Sequence, residues 1–496
     1  LQFRNIMKTS KNITDKDTNV VPKNERFLGQ NLGVRCSLRE LPEFSKENSQ
    51  DKNSSKISGR AFRGSVCCAT SIPSLRSGTA NAATTIPNAG KKSRNKANYT
   101  KLNQYLNKDF DENYALVSHY IQLQGTAEAE NYKSILLQNG IDVSSLPTQK
   151  DFNKQNDVPF PCKDKTKFTF IDLFAGIGGF RLAMQDIGGK CVFSSEWDDA
   201  AKQTYFENYG EVPFGDITKP ETKALIPEEF DVLCAGFPCQ PFSNAGKKKG
   251  IEDTRGTLFY HIAEILETHK PKAILLENVR GLISNDKGKT FQTVLQTITK
   301  MGYKCNIPQK LIDNGPITKI KTAASQMVLS AKDFGVPQNR PRIYVVLWKE
   351  NLSINEFMYP KPLDKKTCVG DILETDSERI SKFTISDKLW KGHQERRKKN
   401  AQKGYGFGYC SFNEKSQYTS TLSRRYYKDG SEILIEQKGK NPRKITPREA
   451  ARLQGYKDSF RPHKSNTEAY KQFGNSVAIP VVEAVSKQIL EQILES

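Results

Sequence analysis

Several common signals are missing from this 496-residue chain. None of its 10 cysteines forms a CxxC pair and its 5 histidines are scattered, so no metal site is expected. In a chain this long, such scatter reads as reduced intracellular thiols and not as a secreted disulfide scaffold. No apolar run approaches the roughly 18 residues of a membrane span, and the opening residues do not resemble a signal peptide. No membrane partner is expected. Acidic residues are absent from Lys52 to Lys108.

Basic residues are what the chain has in excess. Lys and Arg number 76 against 55 Asp and Glu, a formal charge of +21. That favours a polyanionic partner, most simply nucleic acid, although a basic solvated surface carries the same charge. Residues 1–98 are rich in Ser, Asn and Lys and show no sustained apolar periodicity, which predicts a disordered basic arm. Residues 99–160 read as a helical extension, with Gly140 as a helix stop.

The character changes near Lys167. "FTFIDLF", "KCVFSSEW", "FDVLCAGF", "KAILLENV" and "RIYVVLW" are short β-rich runs separated by helix-compatible segments. This alternation predicts an α/β fold, a Rossmann-like and largely parallel sheet with helices on both faces, over 167–349. Cys191 and Cys234 fall inside such runs and read as core residues. Residues 350–441 carry few helix signals and a hairpin is expected to turn at Asp429-Gly430. They read as a smaller loop- and β-rich domain. Thr446-Pro447-Arg448-Glu449 is a capping box that opens the last part, 442–496. There a final amphipathic helix is expected from "FGNSVAIPVVEAVSKQIL".

Ligands in such sheets bind beyond the carboxyl ends of the strands. "DLFAGIGGF" follows the first strand, and Gly176, Gly178 and Gly179 allow a tight turn against a ligand. The spacing is not GxGxxG, so a pyrophosphate site is not indicated. Glu196 ends the second strand, where an acid can accept from ribose hydroxyls. Trp197 can stack on a base, and Asp216 can hold an exocyclic amine. A nucleoside cofactor without pyrophosphate fits this set. Cys239 in "AGFPCQPFSNAGKKKG" lies past another strand end, where nearby positive charge would make a thiolate nucleophile. Glu277 in "ENVRG" is suited to general acid chemistry if partly desolvated. Arg340 and Arg342 in "QNRPR" reach the same edge if their strand runs antiparallel. Singly, each residue is as well explained by packing or a surface ion pair.

Together, "FAGIGG", "PCQPFS", "ENVRG", "QNRPR" and "FGNSV" in this order resemble the C5-cytosine-specific DNA methyltransferases, over about Phe168 to the C-terminus. The resemblance implies that Cys239 attacks carbon 6 of a flipped cytosine. Glu277 would contact ring nitrogen 3 and the exocyclic amine, Arg342 the carbonyl oxygen, and Arg340 would support the nucleophile. S-adenosylmethionine would lie among Phe174, Gly176, Gly178, Glu196, Trp197, Asp216, Ile217, Pro238, Asn475 and Val477. Contacts to double-stranded DNA would come from Ser243, Lys247, Lys248 and Arg255, in a glycine-hinged lid over 243–256, and from Arg424 and Arg425. Residues 350–441 would be the target-recognition domain. The resemblance also implies a monomer in the bacterial cytoplasm, or in the nucleus of a eukaryote. Any partner restriction endonuclease would be a separate chain, because no nuclease motif is found.

Two features depart from the family pattern: the long N-terminal stretch and extra residues over about 305–325, read as a surface insertion. An RNA-modifying branch of the family typically carries a Cys-Phe-Thr signature, which is absent here. A non-catalytic DNA-binding regulator is the other alternative, and intact Cys239, Glu277 and Arg342 speak against it. Transplanting residues 350–441 into a related methyltransferase should carry the target sequence with it. An active chimaera that keeps its host's target would disprove that assignment.

Overall fold

A computed structural model describes residues 112–238 and 258–495 of the chain, apart from 164 and 407. The expected arm and lid therefore lie outside the described residues, as do Cys239, Ser243, Lys247, Lys248 and Arg255. The five apolar runs form β1 (Phe168–Leu173), β2 (Gly189–Ser195), β3 (Val232–Gly236), β4 (Ala273–Val279) and β7 (Pro341–Lys349), and the short strands β5 (Tyr303–Lys304) and β6 (Val328–Ser330) lie between the last two. They make one seven-stranded sheet of order β2-β1-β3-β4-β7-β5, with β6 also paired to β7. The first four strands are parallel, whereas β7 is antiparallel to β4, β5 and β6.

Helices α1 (Glu112–Gln122), α2 (Ala127–Gln138) and α3 (Gln149–Gln155) precede the sheet. Around it lie α4 (Gly179–Asp186), α5 (Asp199–Tyr209), α6 (Leu258–His269), α7 (Lys289–Thr299), α8 (Gln309–Asn314) and α9 (Ile317–Ala323). After β7 come α10 (Asp387–Gln402), α11 (Pro447–Leu453), α12 (Asn466–Asn475) and α13 (Ile479–Ile489). Strand alternation divides the core in two. Phe168, Phe170, Val232, Cys234, Leu275, Val346 and Trp348 pack with α4 and α13 on one face. Ile171, Leu173, Leu233, Ala235, Ile274, Leu276, Val345 and Leu347 pack with α1, α2, α6 and α7 on the other. Both faces being covered is why these strands read as nearly continuous apolar runs.

The region after β7 departs from expectation in three places. Residues 387–402 form α10, although few helix signals were expected there. Only His393 of this helix is buried, so it carries no apolar stripe, and the Ser386 cap was its one local sign. Asp429-Gly430 does turn, with Asp429 Oδ1 accepting from Ser431 N, but it closes no hairpin. The hairpin joins β9 (Leu434–Gln437) to β10 (Lys440–Lys444) through Gly439, and β10 runs across the expected boundary at 441. Beside it, β8 (Ser411–Phe412) completes a three-stranded sheet. The expected final helix is broken between Asn475 and Ile479.

The extra residues over 305–325 are also not a simple surface insertion. They form α8 and α9, whose Ile312 and Ile320 are buried in the second core cluster. The Ile312 carbonyl oxygen accepts from Gln292 at 2.8 Å and Gln296 at 3.0 Å. The capping box at Thr446 and Glu449 is present as expected.

Close backbone packing is one of the contacts that join the second region to the body. A Cβ at Gly474 would meet the Ser423 carbonyl and lie 2.5 Å from the Arg424 nitrogen. Backbone on backbone leaves nothing to yield. Gly474→Ala should therefore lower stability by about 1–3 kcal/mol, the cost of an overpacked contact. An unchanged melting temperature would refute this.

Candidate active site

β1 pairs with β2 on one side and with β3 on the other, so the chain reverses its winding there. A crevice opens beyond the carboxyl ends of these strands. The loop after β1 enters it with positive φ at Phe174 (58°), Gly176 (57°) and Gly178 (77°). A Cβ at Gly176 would meet nothing within 4 Å, so the backbone borders open space. At Gly178 the reverse holds: a Cβ would lie 2.7 Å from Cζ of Tyr209, whose hydroxyl donates to the Gly178 carbonyl at 2.7 Å.

Glu196 fixes this loop to the next strand end. Its Oε2 accepts from Gly176 N at 2.8 Å, and its Oε1 accepts from Trp197 N at 2.9 Å and Asp198 N at 2.8 Å. Burial raises its pKa, and the three backbone donors pull it back. Trp197 is 77% exposed, a large apolar ring with nothing over it among the described residues. Asp216 and buried Ile217 follow the segment that extends the sheet beside β2, through a bridge between Ser195 and Phe214. Val477 packs from below: a Cβ at Gly179 would lie 2.7 Å from its Cγ2. Asn475 beside it is exposed.

The second half of the site sits at the ends of β3, β4 and β7. Gly236 of β3 is registered with Glu277 of β4, and Val279 with Arg342 of β7. Arg342 Nε lies 3.2 Å from Glu277 Oε1, and Arg342 Nη1 donates to the Pro341 carbonyl at 2.9 Å. Glu277 is 8% exposed. Burial raises its pKa, opposed by Arg342 and then Arg340. Asn278 Nδ2 donates to the Phe237 carbonyl at 2.9 Å, which fixes the chain just past the end of β3. The role of Asn278 was not anticipated, although "ENV" contained it.

Arg340 is placed differently from Arg342. It is 2% exposed and donates to the carbonyls of Leu422 at 2.9 Å, Gly474 at 3.1 Å and Ser476 at 2.7 Å. It joins three segments, and burial pushes its pKa down to about 9, helped by Arg342. Gln338 supports it, accepting from Leu422 N at 2.8 Å and donating to the Leu453 carbonyl at 2.7 Å. Arg424 and Arg425 are exposed on the turn that follows. Among the described residues no cluster of three His, Cys, Asp or Glu could hold a metal, and no helix is long and apolar enough to cross a membrane.

Comparison with known proteins places this geometry. The family model described as C-5 cytosine-specific DNA methylase matches residues 168–491. Type II methyltransferase M1.ScrFI of Lactococcus lactis subsp. cremoris is 52% identical over 341 residues, which is 68% of this chain and 82% of that protein. Type II methyltransferase M.SsoII of Shigella sonnei is 51% identical over 338 residues, 68% of this chain and 83% of that protein. Type II methyltransferase M.NlaX of Neisseria lactamica is 53% identical over 327 residues, 65% of this chain and 96% of that protein.

Beneath the glycine loop, Asp172 of β1 is fully buried. Burial pushes its carboxyl up to about 8 from an ordinary 3.8, against the pull of Arg181. A folded-state pKa above the unfolded one means that folding favours the protonated acid. That contribution is complete below about 4 and is lost as pH rises through about 8. Asp172→Asn, neutral throughout, should gain in melting temperature over the wild type as pH climbs across this window. A gap that stays constant between about pH 5 and 9 would contradict it.

Proposed function

The chain belongs to the C-5 cytosine-specific DNA methylases and is a DNA cytosine methyltransferase, and from that premise we propose how its residues work. The target is a cytosine within a specific sequence of double-stranded DNA, turned out of the helix at a cost of a few kcal/mol. The observation that carries this reading is the pairing of buried Glu277 with Arg342 at the edge where β3 leads to Pro238, the residue before Cys239 in the sequence.

Phe174, Gly176, Gly178, Glu196, Trp197, Asp216, Ile217, Pro238, Asn475 and Val477 would hold S-adenosylmethionine. The open space over Gly176 and the bare ring of Trp197 fit a nucleoside, and the loop lacks a pyrophosphate pattern. When bound, it supplies an electrophilic methyl group. The thiolate of Cys239 adds to carbon 6 of the cytosine, forming a carbon–sulfur bond. Glu277, its proton favoured by burial, donates to ring nitrogen 3 as electron density moves into the ring. Arg342, anchored through Nε and Nη1, presents its remaining edge to the ring carbonyl oxygen. Carbon 5 thereby becomes nucleophilic and accepts the methyl group. Water takes the carbon 5 proton, ring nitrogen 3 returns its proton to Glu277, and the thiolate leaves carbon 6, which restores aromaticity. Splitting one difficult step into easier ones is the reason for the covalent route.

Arg340 acts through the backbone it ties down, keeping the start of β7 in place. Residues 350–441 supply target recognition, with Arg424 and Arg425 facing the DNA together with Ser243, Lys247, Lys248 and Arg255. The relatives are named Type II methyltransferases; a separately encoded restriction endonuclease is the matching partner, and the enzyme acts as a DNA-associated monomer in the cytoplasm.

Cys239→Ser should abolish methyl transfer and leave S-adenosylmethionine affinity within a few-fold, since a hydroxyl is scarcely ionised at neutral pH. Glu277→Gln should lower kcat by about 10²–10⁴-fold, the usual worth of a positioned acid. Duplex DNA carrying 5-fluorocytosine should trap a covalent complex, because fluorine blocks the final elimination. Appreciable turnover by the serine variant would sink the assignment of the nucleophile.

A further inference from the structure

The residues before 168 fall outside the stretch that the family model matches, yet α1 is built into the sheet. His119 is fully buried, and its ring stacks on Phe214 with centroids 4.1 Å apart. Its Nδ1 donates to the Ala115 carbonyl at 2.9 Å, since a carbonyl can only accept. Burial lowers its pKa, so the neutral ring accepts at Nε2 from Ser194 N at 3.4 Å, with Glu211 Oε1 3.2 Å away. The same carboxylate oxygen accepts from Arg181 Nη1 at 2.9 Å and from Ser194 Oγ at 3.0 Å. One residue on, Val212 N donates to Ser118 Oγ of α1 at 2.9 Å.

These contacts hold the segment 211–216, which forms no named strand of its own. β2 grips its other side. Phe214 N donates to the Ser194 carbonyl at 2.9 Å, Glu196 N to the Phe214 carbonyl at 2.9 Å, and Ser195 Oγ to the Gly215 carbonyl at 2.8 Å. Glu196 and Asp216 stand at the two ends of this clamp. They are the acids assigned above to the ribose and the base of the cofactor.

We propose that His119 is a positioning residue for S-adenosylmethionine, which makes α1 a working part of the cofactor site although it precedes the matched stretch. The inference rests on the cofactor reading given above. Strands β1 and β3 stand between β2 and β4, which carries Glu277, so the reacting edge is separated from the clamp. Loosening the clamp should therefore weaken cofactor binding and spare the chemistry.

The test uses the full chain, with unmethylated bacteriophage DNA as acceptor, calorimetric binding of S-adenosylmethionine, and melting without cofactor. In His119→Ala the KM for S-adenosylmethionine should rise about fivefold, the scale of one lost hydrogen bond between neutral groups. Meanwhile kcat should stay within about twofold and the KM for DNA should not move. His119→Gln, whose amide oxygen can still accept from Ser194 N, should recover most of the affinity. If the alanine variant does not fold, Ser118→Ala removes the bond from Val212 N and a local one to the Ala115 carbonyl, and should raise the same KM about threefold. An unchanged KM for S-adenosylmethionine in a folded variant overturns the proposal. So does a parallel change in kcat, or a glutamine variant no better than alanine. Glu196→Ala tests the underlying reading on its own: if it binds S-adenosylmethionine as the wild type does, the cofactor site itself is misassigned.

Discussion

A carboxyl group at the dry end of a β-sheet needs a compensating cation, and Glu277 has one because β7 runs against its neighbours. In a fully parallel sheet the start of that strand would lie at the opposite edge. Running antiparallel, it brings Arg342 level with Val279 and sets its Nε 3.2 Å from the Glu277 carboxylate. Without that partner the buried acid would remain neutral, since an uncompensated charge is costly at 8% exposure. The guanidinium opposes the upward push of burial, so the carboxyl is held by two opposing influences.

The same short run of chain also carries the second domain. Gln338 and Arg340, just ahead of Arg342, take up the backbone of Leu422, Leu453, Gly474 and Ser476. Gly474 permits it, because only a residue without a Cβ lets the Ser423–Arg424 backbone approach so closely. The segment bearing Arg424 and Arg425 is thus set by the same run, 338–342, that places Arg342 beside Glu277. A shift in one cannot leave the other untouched, so the two segments are mechanically coupled.

What the sequence disclosed follows from this arrangement. Strands covered on both faces announce themselves as apolar runs, and the site residues cluster in short contiguous motifs at strand ends. Both were legible. Helix α10 was not, because a helix resting on one histidine has no stripe to display. The Asp429-Gly430 signal misled because Tyr426 just before it is fully buried, its hydroxyl donating to the Ile433 carbonyl and accepting from Ile445 N. That packing commits the turn to a non-hairpin path and leaves Gly439 to reverse the chain. The contact of His119 with Glu211 left no local trace, because it joins residues far apart in sequence.

Glu196 and Glu277 show how one environment yields two roles. Each is 8% exposed, and burial raises each pKa. They differ in what offsets the burial. Glu196 is met by three backbone donors, which are fixed and neutral and cannot be drawn away. Three of its four acceptor positions are taken, and one on Oε2 remains for a hydroxyl. Glu277 is met by a side-chain cation that can be shared with an arriving base. A carboxylate tied to backbone holds a ligand still, whereas one tied to a guanidinium can change its partners during a reaction.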